Sequence, residues 1–352
     1  MTVSSSDLAR LLVGDERAVR EVMSRCADSR AVLSLARAHG VGGLVLGRLA
    51  NAGVALPPEV AERERVRDVE ARLWFDRASL ALAQVTSAME EAGVRAVTLK
   101  GPSLAERLYP EAPHHRLSVD LDLLVVPDDL DRATQALAPL GYVRGDGPWD
   151  RYLRRHHHAV HLAHGALPTV DLHFSASEGT GVSLPAAPIV VRAVSTRTSL
   201  GATALVPSPA DELVYLAVHA VSHRLARLSW LCDVARLLER GVDVEAARTR
   251  AREAGVLGSL LVVARALEER LGISTPALVA DDAPTRARVA AAAALAGVDV
   301  RERGPGESAL TFAVVALTCD RPRDLASFSA RKVVRFVDRV ARYRALRGAP
   351  PP

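Results

Sequence analysis

The chain has 352 residues, 49% hydrophobic and only 4% aromatic, with a formal net charge of +4. That length supports two or three domains, and arginine scattered over a nearly neutral chain suits local capture of anionic groups rather than extended nucleic-acid binding. Three distant cysteines, Cys26, Cys232 and Cys319, exclude a disulfide framework or a cysteine zinc cluster.

Residues 1–90 read as an N-terminal helical region. "SSSDLARLLVG" offers caps before an apolar period, and "VEARLWFDRASLALAQVTSAMEEAG" continues as an amphipathic helix ending at Gly93. Charges interrupt every apolar run of the opening "MTVSSSDLARLLVGDERAVR", so no signal peptide is expected, and the cytoplasm is the expected location. No stretch is long and apolar enough to cross a membrane.

Residues 91–206 change pattern. "VRAVTLKG" is a β-rich run stopped by Gly101, and "PSLAERLYP" is a short helix between prolines. "LSVDLDLLVV" is a strand, and "PDDLDRATQALAPLG" is a helix with an acidic first turn. "HHHAVHLA" and "TVDLHF" alternate like two strands joined around "HGALP". From Pro207 to residue 345 the pattern is helical again, and 346–352 is a flexible tail. The layout is a small α/β centre between helical flanks.

"VDLDLLVV" carries the chemistry. A strand's side-chain period is two, so Asp120 and Asp122 share one face while Leu121, Leu123 and Val125 face the core. Two carboxylates on one face repel and need a cation or a shared proton. Mg²⁺ suits hard oxygen donors and leaves room for substrate phosphates. Asp171 in "TVDLHF" becomes a third ligand if its strand lies beside the first. Such a set can clamp the attacking and leaving oxygens of phosphoryl transfer. Upstream, Lys100, Gly101 and Ser103 form a strand–turn–helix junction where backbone N–H groups, a cation and a hydroxyl can meet a phosphate. Arg116, just before the strand, can pair with a carboxylate or reach a phosphate.

The order "LKG", "LYP", "R-x-S-x-D-x-D-L-L-V" and "V-D-L-H-F" resembles the uncharacterised nucleotidyltransferase family of the DNA polymerase beta-like superfamily. The similarity covers roughly residues 75–240 and takes in "HAVSHRLARLSWLCDVARLL". It implies an α+β fold in which a small mixed-sheet nucleotidyltransferase core is flanked by N-terminal and C-terminal helical regions. It also implies metal binding by Asp120 and Asp122, with Asp171 completing the site and orienting or deprotonating the acceptor hydroxyl. Mg²⁺ or Mn²⁺, two ions, would be the cofactor. A nucleoside triphosphate such as ATP would be co-substrate, and a small molecule, peptide or protein hydroxyl the acceptor. The Lys-Gly turn departs from the superfamily's usual Gly-Ser or Gly-Gly but is the form of this family. A kinase-like phosphotransferase and a non-catalytic nucleotide-binding protein are the alternative readings, and an RNA-modifying enzyme is another within the superfamily.

Histidines form a second set of candidates. In "RRHHHAVHLAHG", alternation puts His156 and His158 on one face and His157 and His161 on the other, too few converging ligands for structural zinc. One or two of them are expected to line the cleft. His173 shares a face with Asp171. His219 and His223 share a helix face, without the intervening Glu of a zinc-protease motif, and the resemblance turns that helix toward the cleft. Asp233 and Arg227 are expected to pair within the helical domain. In "SARKVVRFVDRVARYRALRG", Val333, Val334, Phe336, Val337, Val340 and Ala341 form a stripe expected to pack on the bundle, with arginine heads in water.

Overall fold

A computed structural model describes residues 3–26, 28–145, 157–176, 184–296 and 307–345. His156 and the tail at 346–352 lie outside the described residues. The fold is α+β, a mixed sheet flanked by helices.

The N-terminal helices are Ser5–Val13, Glu16–Arg25, Ser29–Ala38, Gly42–Asn51 and the long Pro58–Glu91. Ser4, Asp15 and Asp28 cap the first three by accepting hydrogen bonds from first-turn N–H groups. Seven strands follow among the described residues: β1 (Val97–Thr98), β2 (Asp120–Leu124), β3 (Val143–Arg144), β4 (Ala159–Ala163), β5 (Thr169–His173), β6 (Val194–Arg197) and β7 (Thr203–Val206). Their order across the sheet is β3-β4-β5-β2-β1-β7-β6. The β2–β5 and β1–β7 pairs are parallel and the others antiparallel. Strands β3, β6 and β7 carry too little apolar alternation to announce themselves. Three of the four β6 residues are exposed, so no buried face marks that strand.

The sheet's two faces bury different things. Leu121, Leu123, Val125, Val170 and Leu172 pack with Ala81, Leu82 and Val85 of the long helix. Leu124, on the aspartate face, joins Val97 and Leu99 in a larger core with the N-terminal and C-terminal helices. Fully burying one such side chain contributes about 1.5–3 kcal/mol. A one-residue slip of β2 would drive both aspartates into the opposite layer, against the long helix, so the burial of that layer fixes the register.

The C-terminal part comprises helices Pro209–Ser222, Leu228–Glu239, Val244–Ala254, Leu257–Leu271, Ala283–Ala296, Glu307–Thr318 and Pro322–Ala345. The valine stripe of the last helix departs from expectation: Val333, Val334 and Val337 are 62%, 52% and 59% exposed. Packing falls instead on the buried Phe328, earlier on the same helix, stacked on Phe312 at 5.6 Å between ring centres. No helix among the described residues is long and apolar enough to cross a membrane.

Candidate active site

Parallel pairing of β2 with β5 sets Asp122 directly beside Asp171, with Asp120 two residues back on the same face beside Thr169. The three aspartates therefore converge, which the sequence pattern alone made conditional on strand order. Antiparallel β4 places His161 opposite Asp171, and His161 Nδ1 lies 2.6 Å from Asp171 Oδ1. At the other end of the row, Lys100 Nζ lies 3.3 Å from Asp122 Oδ1. The sheet thus presents His161, Asp171, Asp122 and Lys100 in sequence, two carboxylates between two basic groups. The sequence marks His161 as one of the cleft candidates; its place on Asp171 follows only from the β4–β5 register.

His173 is buried on the aspartate face, its Nε2 3.0 Å from Asp122 Oδ1. One donor atom each from Asp122, Asp171 and His173 lie within 4.8 Å of one another. The carboxylates diverge in basicity. Burial, then the Asp122 charge, raises the Asp120 carboxyl above its ordinary value, opposed by Lys100 and by a hydrogen bond from Ser118 Oγ at 3.0 Å. Burial also pushes Asp122 up, but the Lys100 charge and the His173 hydrogen bond outweigh it and hold that carboxyl well below the usual range. The hydrogen bond to Asp171 holds His161 above the ordinary imidazole value, against the effect of burial.

These residues fit a divalent metal. Asp122 Oδ2 is buried with no hydrogen-bond partner among the described residues, an acceptor that a cation would satisfy. Burial and a neighbouring negative charge both destabilise ionised Asp120, and a cation on the same face would relieve them. Hard carboxylate oxygens that leave coordination positions open suit Mg²⁺ or Mn²⁺.

The junction after β1 is built for close approach. Leu99 N–H donates to Asp122 C=O at 2.9 Å, which ties this segment to β2. Gly101 then turns with φ 80° and ψ −152°, a conformation open essentially to glycine. Pro102 starts the Pro102–Leu108 helix, and Ser103 Oγ is buried without a hydrogen-bond partner among the described residues.

Arg116 lies elsewhere. Its Nε and Nη2 donate to both oxygens of the fully buried Asp233 at 2.7–3.0 Å, and Nη1 donates to Leu117 C=O. The buried Tyr109 hydroxyl donates to the same carboxylate at 2.9 Å. Asp233 takes Arg116 rather than Arg227, which stands over the Trp230 ring at 5.9 Å. Arg116 thus braces the approach to β2 against the helical region, its guanidinium engaged by Asp233 where a nucleotide contact was expected of it.

The Pro209–Ser222 helix stands near the aspartates, with His219 on it within electrostatic range of Asp122. His219 is buried with its ring edge-on to Trp230 at 5.3 Å, and the exposed His223 lies 5.2 Å from the same indole.

A family model described as uncharacterised nucleotidyltransferase matches residues 25–272, a wider span than the motifs alone delimit. No curated protein sequence matches the chain. The matched span covers more than half of the chain and includes the convergent aspartates, the Lys-Gly turn and the helix beside them. This protein belongs to the uncharacterised nucleotidyltransferase family.

Proposed function

We propose that the protein transfers a nucleoside monophosphate from a nucleoside triphosphate to a hydroxyl of a small-molecule, peptide or protein acceptor, releasing pyrophosphate. The observation that carries this reading is the side-by-side placement of Asp122 and Asp171 with Asp120 on the same face. Asp120, Asp122 and Asp171 would hold two Mg²⁺ or Mn²⁺ ions, which supply Lewis-acid stabilisation of charge on the attacking and leaving oxygens.

The chain's own residues position the reactants. Lys100 supplies a cation for the triphosphate, Gly101 lets the backbone approach it, and Ser103 adds a hydroxyl. Asp171 orients the acceptor hydroxyl and accepts its proton as the new O–P bond forms at the α-phosphorus. The bond from that phosphorus to the bridging oxygen breaks, and pyrophosphate leaves. His161 holds the Asp171 carboxylate from the neighbouring strand, and His173 holds Asp122. His219, His223 and Trp230 form the wall against which the base or the acceptor rests.

The test incubates the protein and Mg²⁺ with α-labelled and γ-labelled ATP, GTP, CTP and UTP and a panel of hydroxyl-bearing acceptors. Label from the α-phosphate should appear on the acceptor, and Asp120→Asn should lower transfer by about 100-fold or more. Transfer of γ-label would assign a kinase instead, and undiminished transfer by Asp120→Asn would remove the mechanism. Nucleotide binding without turnover on any acceptor would favour a non-catalytic role.

A further inference from the structure

Just ahead of β2, outside the catalytic face, two histidines and an aspartate meet. His114 and His115 sit on the single turn Pro113–His115, and each Nε2 lies 3.0 Å from Asp68 Oδ1, on the long helix. Donor atoms of all three lie within 4.8 Å of one another. We propose that Asp68, His114 and His115 form a zinc site, separate from the catalytic aspartates, that clamps the long helix to the segment leading into β2.

Geometry and donor chemistry carry the assignment. Zinc takes imidazole nitrogen at about 2.0–2.1 Å and carboxylate oxygen at about 2.0–2.2 Å in a tetrahedron, whose edges are then about 3.3 Å. The two nitrogen-to-oxygen separations are already within a few tenths of an ångström of that edge. Two imidazoles with one carboxylate suit a borderline ion such as Zn²⁺ better than Mg²⁺. Three protein donors leave one tetrahedral position for water.

The surroundings hold the donors in place. Arg72 Nε donates to Asp68 Oδ2 at 2.9 Å, which orients the carboxylate so that Oδ1 faces the imidazoles. His115 lies against Gly43, where a Cβ would stand 2.7 Å from His115 Cγ, so the ring is seated where only glycine gives it room. His114 and His115 are 7% and 16% exposed, so an ion there would be largely shielded from solvent. The same helix also holds the far end of this segment, because Trp74 Nε1 donates to Ser118 C=O at 2.7 Å. Ser118 in turn contacts Asp120, so a clamp at His114 and His115 acts on the strand that carries the catalytic carboxylates.

The experiment uses the full-length Asp122→Asn/Asp171→Asn protein, so that the catalytic carboxylates do not compete for metal. Titration with ZnCl₂ in excess Mg²⁺ should show one tight equivalent, and Co²⁺ in its place should give the intense visible absorption of a four-coordinate ion. In that background His115→Asn should weaken Zn²⁺ binding by about 100-fold or more. Asp68→Asn, an isosteric change on a helix, is the second variant should the histidine substitution disturb folding, and it should weaken binding comparably. Absence of a tight equivalent, or Zn²⁺ binding unaltered by Asp68→Asn, would overturn the proposal.

Discussion

Lys100 and Asp122 form an ion pair at 3.3 Å in which both side chains are largely buried, 13% and 3% exposed. At an effective dielectric of about 20, unit charges at that separation attract by about 5 kcal/mol. Together with the His173 hydrogen bond, that attraction outweighs the effect of burial on Asp122 and keeps its carboxyl ionised beside Asp120. In the proposed mechanism Lys100 therefore does the cation's work at Asp122 until a metal and a triphosphate enter. Replacing it should have opposite effects on two ligands. Lys100→Met should tighten Mn²⁺ binding by about tenfold, equivalent to about 1.4 kcal/mol, by removing a competitor. It should also lower kcat/KM for the triphosphate by about tenfold or more, by removing a phosphate contact. Paramagnetic titration of Mn²⁺ and steady-state kinetics read the two separately, and unchanged Mn²⁺ affinity would rule out competition.

Gly101 gives a cleaner probe of the same turn. A Cβ there would meet Asp120 C=O at 3.6 Å, an ordinary contact, so space is not the obstacle. The obstacle is the backbone at φ 80° and ψ −152°. Gly101→Ala should cost about 1–3 kcal/mol in urea unfolding and raise KM for the triphosphate, because Lys100 and Ser103 flank the strained residue. A stability change within about 0.5 kcal/mol would mean that the turn relaxes freely.

The two aspartates of β2 were legible in the sequence because a strand's side-chain period is fixed and the intervening leucines mark the core face. The helical flanks were legible from their apolar periods and caps. What was not legible depends on which strands become neighbours. Asp171 acquires meaning only when β5 lies beside β2, and the His161 and Lys100 contacts only when β4 and β1 complete the row. The choice Arg116 makes between a phosphate and a carboxylate depends on a residue far along the chain, Asp233, whose position no local pattern encodes. His114 and His115 are neighbours in the chain, but their convergence on Asp68 requires the long helix to pack against that turn.

The Arg116–Asp233 pair should prove strongly coupled. Asp233 is fully buried and Arg116 nearly so, and three hydrogen bonds join them. Removing either partner leaves a buried, unmatched charge, so Arg116→Met or Asp233→Leu alone should destabilise by about 3–5 kcal/mol. The double substitution should recover part of that loss, because it leaves neither charge behind. Urea denaturation of the four proteins closes the cycle, and additive losses would show that the pair acts independently.

Cys232 sits beside this same carboxylate, and its thiol is pushed up to about 12 by burial and then by the Asp233 charge, against Arg116. A thiol reacts as its thiolate, so the native protein at pH 8 should resist iodoacetamide at Cys232 and react there only when unfolded. The sign of the pH dependence follows. Between the ordinary thiol value of 9.0 and about 12, the unfolded chain has lost the Cys232 proton while the folded chain keeps it. The folded state then binds more protons, so stability falls as pH rises through that window. Cys232→Ala should flatten this part of the stability profile, measured by thermal unfolding from pH 8 to 11. An equally steep fall in the variant would place the alkaline sensitivity in other groups. Rapid native labelling of Cys232 would mean that the thiol is neither shielded nor held neutral by Asp233.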